Sequence, residues 1–208
     1  MSTRTLWVGS NNQKKLAELT RILAPLGLCL RTPQDLGRAY APVEDQPDFA
    51  GNARQKAVLL AQLAGAPALA DDSGLCVDAL GGRPGVLSAR YGGEGLDDRG
   101  RLQRLLDELR GVPAERRTAH FTCSLCVAAA DGRVLAAIEA TCEGTLLDAP
   151  AGSGGFGYDP IFVPREFAGA ADKTFAELDA ATKDRLSHRG KALRQLAAEL
   201  PMLLGGAR

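Results

Sequence analysis

The sequence predicts an α/β domain with a mixed sheet, on three observations. Short apolar runs alternate with amphipathic stretches over the first half of the chain. In the second half, Asp131-Gly132 sits between two strand-like runs, which is a strong hairpin signal. The 208 residues, 45% hydrophobic and 24% charged, are enough to bury a core without disulfides or structural metal. No internal repeat or low-complexity linker interrupts them, so residues 1–208 read as one domain.

Leu6-Trp7-Val8 is a short apolar run that ends at Gly9-Ser10-Asn11, and it reads as a buried strand. Leu16, Leu19 and Leu23 then recur at i, i+3 and i+7, predicting a helix that Pro25 and Gly27 end. Leu28-Cys29-Leu30 is a second strand, and the proline-rich stretch from Thr32 to Pro47 is loop. Asp48 is placed to cap a helix running to about Ala64, with Phe49, Ala53, Lys56, Ala57 and Leu60 on its inner face and Gly65 as its stop. Ala68-Leu69-Ala70 is a strand that delivers Asp71-Asp72-Ser73-Gly74 at its end. A tight loop over Gly81–Gly85 follows. Asp97 or Asp98 then opens a helix striped by Leu102, Leu105, Leu106 and Leu109. Phe121 to Ala130 and Val134 to Thr141 form the hairpin, and Gly152 to Gly157 is a flexible turn before Tyr158 to Val163. A last helix runs from about Ala180 to Leu200, with Leu186, Leu193, Leu196 and Leu200 inward.

Lysine plus arginine equals aspartate plus glutamate, 25 each, so no global field draws the chain to nucleic acid or an anionic membrane. A polyanionic ligand must be held by local groups. The stretch from Met1 to Val8 has no apolar core of a secretion signal, and no apolar run approaches a membrane span. Five cysteines, an odd and scattered number, suit free thiols in a reducing cytoplasm. Cys123 and Cys126 lie three apart in a predicted strand and point to opposite faces, so they read as structural rather than as a metal pair.

Five segments carry possible chemistry. Ser10-Asn11-Asn12-Gln13-Lys14-Lys15 lies between strand and helix, where backbone N–H groups attract anions; the plainer reading is an asparagine cap with solvated lysines. In Asp71-Asp72, strand alternation sends one acid into the domain and the other into a crevice. Two adjacent acids suit Mg²⁺, which takes one or two carboxylates plus phosphate oxygens, and one acid can accept a proton from water. An acidic turn explains the pair equally well. Glu44-Asp45 in the proline-rich loop has no independent mark. Gly154-Gly155-Phe156-Gly157-Tyr158-Asp159 offers close backbone approach, an aromatic and an acid, against the alternative of a core-packed turn. Lys183 to Lys191 holds one of only two histidines among several cations, with 184, 188 and 191 on one helix face; a solvated basic face is the plain alternative.

These segments, in this order, resemble the inosine triphosphate pyrophosphatase family, whose members remove ITP, dITP and XTP. The match runs from Ser10–Lys14 with Glu18, through Phe49–Ala53 with Lys56-Ala57 and Ala70–Leu75, to Ser88–Tyr91. It continues through Gly154–Phe162 and Lys173–Leu178 to Ser187–Leu193. Each motif is weak alone, but the ordered set is specific and spans nearly the whole chain. The resemblance implies a long mixed sheet with flanking helices, forming two lobes around a central nucleotide cleft. It implies Mg²⁺-dependent release of pyrophosphate from a purine nucleoside triphosphate, and a homodimer. By match, Asp72 is the proton acceptor and a magnesium ligand, and Glu44 is the second ligand. Gly9, Ser10, Asn11, Asn12, Gln13 and Lys14 hold the triphosphate and Ser73 contacts substrate. Phe156, Gly157, Tyr158, Asp159, Lys183, His188 and Arg189 frame the base and phosphates. His188 and Arg189 are expected to donate to a purine O6, and Asp159 to accept from N1–H.

Two departures stand out. The family usually has threonine where Gly9 stands and glutamate where Gly51 stands. Two rival functions share the same residues: an enzyme acting on pyrimidine or modified nucleotides, and a non-catalytic nucleotide- or RNA-binding module.

Overall fold

The computed structural model describes residues 4–93, 95–169 and 172–205, so Met1-Ser2-Thr3 of the leader reading lie outside the described residues. Six strands form one mixed sheet: β1 (Thr5–Val8), β2 (Cys29–Arg31), β3 (Ala68–Val77), β4 (Thr118–Ala128), β5 (Val134–Leu146) and β6 (Phe162–Pro164), in the order β2-β1-β3-β4-β5-β6. β1 pairs in parallel with both β2 and β3, and β5 pairs antiparallel with β6. The helices are α1 (Gln13–Leu23), α2 (Phe49–Ala64), α3 (Asp98–Glu108), α4 (Ala180–Leu186) and α5 (His188–Gly205).

The chain divides into two compact units. The first comprises Met1–Asp72, Cys123–Ala140 and Arg189–Arg208, and the second Ser73–Thr122 and Thr141–His188. In the first unit, side-chain alternation sorts each strand between two hydrophobic clusters. Leu6, Val8, Leu69, Cys123, Leu125 and Val127 pack with Leu19 and Leu23 of α1 and Leu193, Leu196 and Leu200 of α5. Trp7, Ala68, Ala70, Cys126 and Ala128 pack with Ala53, Ala57, Leu60 and Ala61 of α2. Sheet residues of opposite parity therefore meet different helices. Cys123 and Cys126 fall in different clusters, as their spacing requires. Burial pushes the Cys123 thiol up to about 12 and the Cys126 thiol up to about 11.

In the second unit, Leu75 and Val77 pack with Leu102 and Leu105 of α3, with Leu109 at its C-cap and with an aromatic group. The Phe121 and Phe162 ring centroids are 4.7 Å apart, and those of Phe162 and Phe175 are 5.0 Å apart.

Most expected elements are present. Asp48 caps α2 by accepting from the Gly51 N–H, and Gly65 ends it in the left-handed conformation at φ 62°. Asp97 caps α3. In the β4–β5 connection, Gly132 adopts φ 86° and the Ala129 N–H donates to the Arg133 carbonyl at 2.8 Å.

Several expectations change: the hairpin strands run Thr118–Ala128 and Val134–Leu146, and a 3-10 turn at Pro33–Leu36 interrupts the proline-rich loop. β2 is shifted one residue toward the C-terminus. β3 does not stop at Ala70. It runs ten residues to Val77, because Leu75 and Val77 are themselves buried, so Asp71 and Asp72 lie mid-strand rather than at its edge. The single C-terminal helix is two helices, broken at Ser187, whose backbone is extended at φ −64°, ψ 152°. Residues 184 and 188 therefore belong to different helices and do not share a face. His188 and Arg189 stand instead in the first turn of α5.

Candidate functional site

Alternation along β3 decides what each acid meets. Asp71 has the parity of Leu69, which faces α1 and α5. Its Oδ2 accepts from the Lys15 ammonium at 2.9 Å and the Arg189 guanidinium at 3.3 Å. Arg189 is itself gripped by Glu18 of α1 at 2.6 Å. Burial alone would raise the Asp71 carboxyl, but Lys15, Arg189 and Lys56 together hold it well below the usual carboxylate range. Asp71 is therefore a charged group inside the first unit, balanced by two cations.

Asp72 has the parity of Ala68 and Ala70, which face α2. Its Oδ1 accepts from the Lys56 ammonium at 2.8 Å and its Oδ2 from the Asn52 amide at 3.1 Å. Lys56 also reaches Glu44 Oε1 at 3.0 Å, so one ammonium joins the two carboxylates. Burial works against the charge on Lys56, yet Asp72, Asp71 and Glu44 outweigh it and raise its pKa. Asn52 and Lys56 are four residues apart on the buried stripe of α2, which aims both at the same carboxylate.

The segment after β1 forms the start of α1. The Asn12 side chain caps the helix, accepting from the Lys14 and Lys15 N–H groups, and Ser10 Oγ accepts from the Asn12 N–H at 3.2 Å. Asn11 accepts from the Gln34 amide at 3.4 Å. Gln13 and Lys14 are exposed, and the first-turn lysine that reaches Asp71 is Lys15. A β-carbon on Gly9 would stand 2.7 Å from Tyr40 Oη, so Gly9 accommodates the tyrosine hydroxyl where a larger residue would collide. A β-carbon on Gly51 would meet Gln46 at 2.8 Å. Asp48 beside it accepts the Gly51 N–H as the helix cap.

In the second unit, Asp159 is the hub. Its Oδ2 accepts from the Phe156 N–H at 2.8 Å and from the Lys183 ammonium at 2.7 Å. A β-carbon on Gly155, at φ 68°, would collide with that carboxylate, which is why glycine stands there. The Lys183 ammonium lies 4.8 Å from the Phe156 ring centroid. The Gly157 N–H donates to Asp98 at 3.0 Å. Tyr158 is buried, and its hydroxyl donates to the Ser88 carbonyl at 3.1 Å. The His188 ring stacks on Phe121, with centroids 4.7 Å apart. Ser73, next along β3 from Asp72, is half-buried. Thr174 and Glu177 form a capping box, and the Ala176 carbonyl between them accepts from the Gly154 N–H at 3.0 Å, so the Lys173-Thr174-Phe175 motif secures the glycine-rich loop.

A divalent cation suits the Asp72–Glu44 pair. Both carboxylates converge on one cationic group, and hard oxygen donors are what Mg²⁺ takes. Each Asp72 oxygen accepts one hydrogen bond here, which leaves lone pairs for a further partner. Among the described residues no group of three or more His, Cys, Asp or Glu has the spacing of an all-protein metal cage.

The sequence motifs contained Asn52, Lys56 and Glu18 without giving them a role, and Lys15 only as part of the anion-attracting segment. The signal was present for Lys56. It falls on the stripe that also holds Ala53, Ala57 and Leu60, and a lysine buried there requires an anionic partner.

These features define a class: an α/β protein whose mid-sheet strand carries two oppositely facing carboxylates, each locked by cations from flanking helices. A model of the Ham1 family matches residues 6–199. A dITP/XTP pyrophosphatase of Gloeobacter violaceus is 50% identical over 194 residues, covering 93% of this chain and 92% of that protein. One from Desulfotalea psychrophila is 44% identical over 197 residues, covering 95% and 85%. The solved structure of a HAM1 protein from Coxiella burnetii superimposes with TM-score 0.85 at 35% identity, covering 96% of this chain and all of that one. The chain belongs to the Ham1 family.

Proposed function

We propose that this chain hydrolyses non-standard purine nucleoside triphosphates (ITP, dITP and XTP) to the monophosphate and pyrophosphate, keeping them out of DNA and RNA. The carrying observation is the Asp72–Lys56–Glu44 arrangement on β3, α2 and the proline-rich loop. Support comes from family membership and from relatives named dITP/XTP pyrophosphatase. We take residues 1–208 as one catalytic domain, working in the cytoplasm as a homodimer with Mg²⁺ as its cofactor.

Asp72 and Glu44 would hold the metal, which when bound supplies charge neutralisation and orientation for the phosphates. Asp72 accepts the proton of the attacking water; Lys56 and Asn52, one on each oxygen, fix its orientation. Gly9, Ser10, Asn11, Asn12, Gln13 and Lys14 take the triphosphate at the N-terminus of α1, joined by Lys15, and Ser73 contacts substrate. Phe156 stacks on the base, with Gly157 and Tyr158 shaping its loop. His188, with Lys183 in place of the expected Arg189, supplies donors suited to a purine O6, because the Arg189 guanidinium is engaged by Asp71 and Glu18. Asp159, expected to accept from a purine N1–H, has its Oδ2 engaged by the Phe156 N–H and Lys183, and serves the base side by fixing both. Arg189 acts through Asp71 and Glu18, which hold its guanidinium. Adenine carries an amino group where hypoxanthine carries O6, so a donor-lined site leaves groups unpaired on ATP, a penalty on the order of 10⁴ in rate.

Pyrophosphate release over ITP, dITP, XTP, dUTP, methylated pyrimidine triphosphates and ATP, with and without Mg²⁺, tests the reading. Preferential turnover of the first three supports it. Preference for pyrimidines, or free phosphate as the only product, overturns it.

A further inference from the structure

The Tyr40 hydroxyl occupies the space above Gly9, 2.7 Å from where a β-carbon would be, and donates to the Lys56 carbonyl at 3.2 Å. Glu44, four residues further along the same loop, grips the Lys56 ammonium at 3.0 Å. Two residues beyond, the Gln46 N–H donates to the Asn52 side chain at 3.0 Å. One stretch of loop is thus fastened to α2 at the backbone of residue 56, the side chain of residue 56 and the side chain of residue 52. Asn52 and Lys56 are the two donors to Asp72. The phenol is partly buried, and that burial with the nearby Glu44 and Asp71 charges raises its pKa, so it remains a donor at any working pH.

We propose that Tyr40 is a positioning residue for Glu44, its hydroxyl using the niche over Gly9 to hold the proline-rich loop on α2. The proposal rests on the reading of Glu44 as a metal-side carboxylate. Gly9 and Tyr40 then form a matched pair, since a side chain at position 9 and a hydroxyl at position 40 compete for one space. The bond is long for O–H···O, so its loss is expected in the lower part of the range for a single hydrogen bond, roughly 2–5-fold in local opening.

Three single variants of the full chain, Tyr40→Phe, Gly9→Ala and Glu44→Gln, and the Tyr40→Phe/Gly9→Ala double variant test this by two readouts. Amide hydrogen exchange over residues 38–47 is followed without metal. The Mg²⁺ concentration for half-maximal pyrophosphate release from ITP is measured separately. Tyr40→Phe is expected to speed exchange over 38–47 by roughly 2–5-fold and to raise the Mg²⁺ requirement by a similar factor. Gly9→Ala is expected to do the same, and to add less in the Tyr40→Phe background than alone. If Glu44→Gln raises the Mg²⁺ requirement and Tyr40→Phe moves neither readout, the Tyr40 proposal is overturned while the Glu44 reading stands. If Glu44→Gln itself leaves the requirement unchanged, both fall.

Discussion

Lys56→Met keeps the length of the side chain and removes its charge. Coulomb's law at 2.8 Å with an effective dielectric of about 20 gives roughly 6 kcal/mol of gross attraction between Lys56 and Asp72. Much of that is offset by the desolvation of both groups, whose side chains are only 7% and 10% exposed. The relevant magnitude is the cost of leaving Asp72 buried and ionised with no countercharge, about 3–5 kcal/mol. Glu44, 35% exposed, adds little because water screens it. For a chain of this size each kcal/mol moves Tm by about 2–4 °C, so the metal-free variant is expected to melt about 6–20 °C lower. Mg²⁺ is expected to recover part of that loss, because a cation then faces the same carboxylates. In the Asp72→Asn background the Lys56→Met cost is expected to shrink by at least half, since the buried charge is gone. Calorimetry on the four proteins checks this. A metal-free drop under 2 °C, or equal costs in both backgrounds, would mean that Lys56 does not neutralise a buried Asp72 charge.

Two further outcomes are expected. Asp71 has a depressed folded-state pKa, so its stabilising contribution is present above the unfolded value of about 4 and is lost as pH falls below it. The stability gap between wild type and Asp71→Asn, from urea unfolding, is expected to stay constant from pH 8 to 5 and to shrink only in stronger acid; collapse between pH 7 and 5 contradicts this. A thiol reagent on the native protein is expected to label the exposed Cys29 first and to reach the buried Cys123, Cys126 and Cys142 only on unfolding.

Local rules explain why some features could be read from the sequence. Asp48, Gly65 and Asp97 mark helix ends by chemistry confined to a few neighbouring residues, and each end fell where expected. Strand alternation likewise forced Asp71 and Asp72 apart before any helix was placed. It could not say which helix each would meet, because that depends on how α1, α2 and α5 cover the sheet. The length of β3 was missed because glycine and polar residues between Ala70 and Leu75 look like a turn, while the burial of Leu75 and Val77 keeps the strand going. The break at Ser187 was missed because leucine spacing continues through it. Lys15 and Glu18 gained importance only through Asp71 and Arg189, at separations of 56 and 171 residues, distances that no local pattern spans. Tyr40 carried no sequence mark, and its place follows from the absence of a side chain at Gly9.

The proposed role of Asp72 is to activate water in the hydrolysis of ITP-type nucleotides. Its most direct test is pyrophosphate release by wild type and Asp72→Asn at saturating Mg²⁺, with nucleotide binding measured on the same samples. The variant is expected still to bind ITP while kcat falls by roughly 10²–10⁴-fold. Unchanged turnover by Asp72→Asn, or equal turnover of ATP and ITP by the wild type, would contradict it.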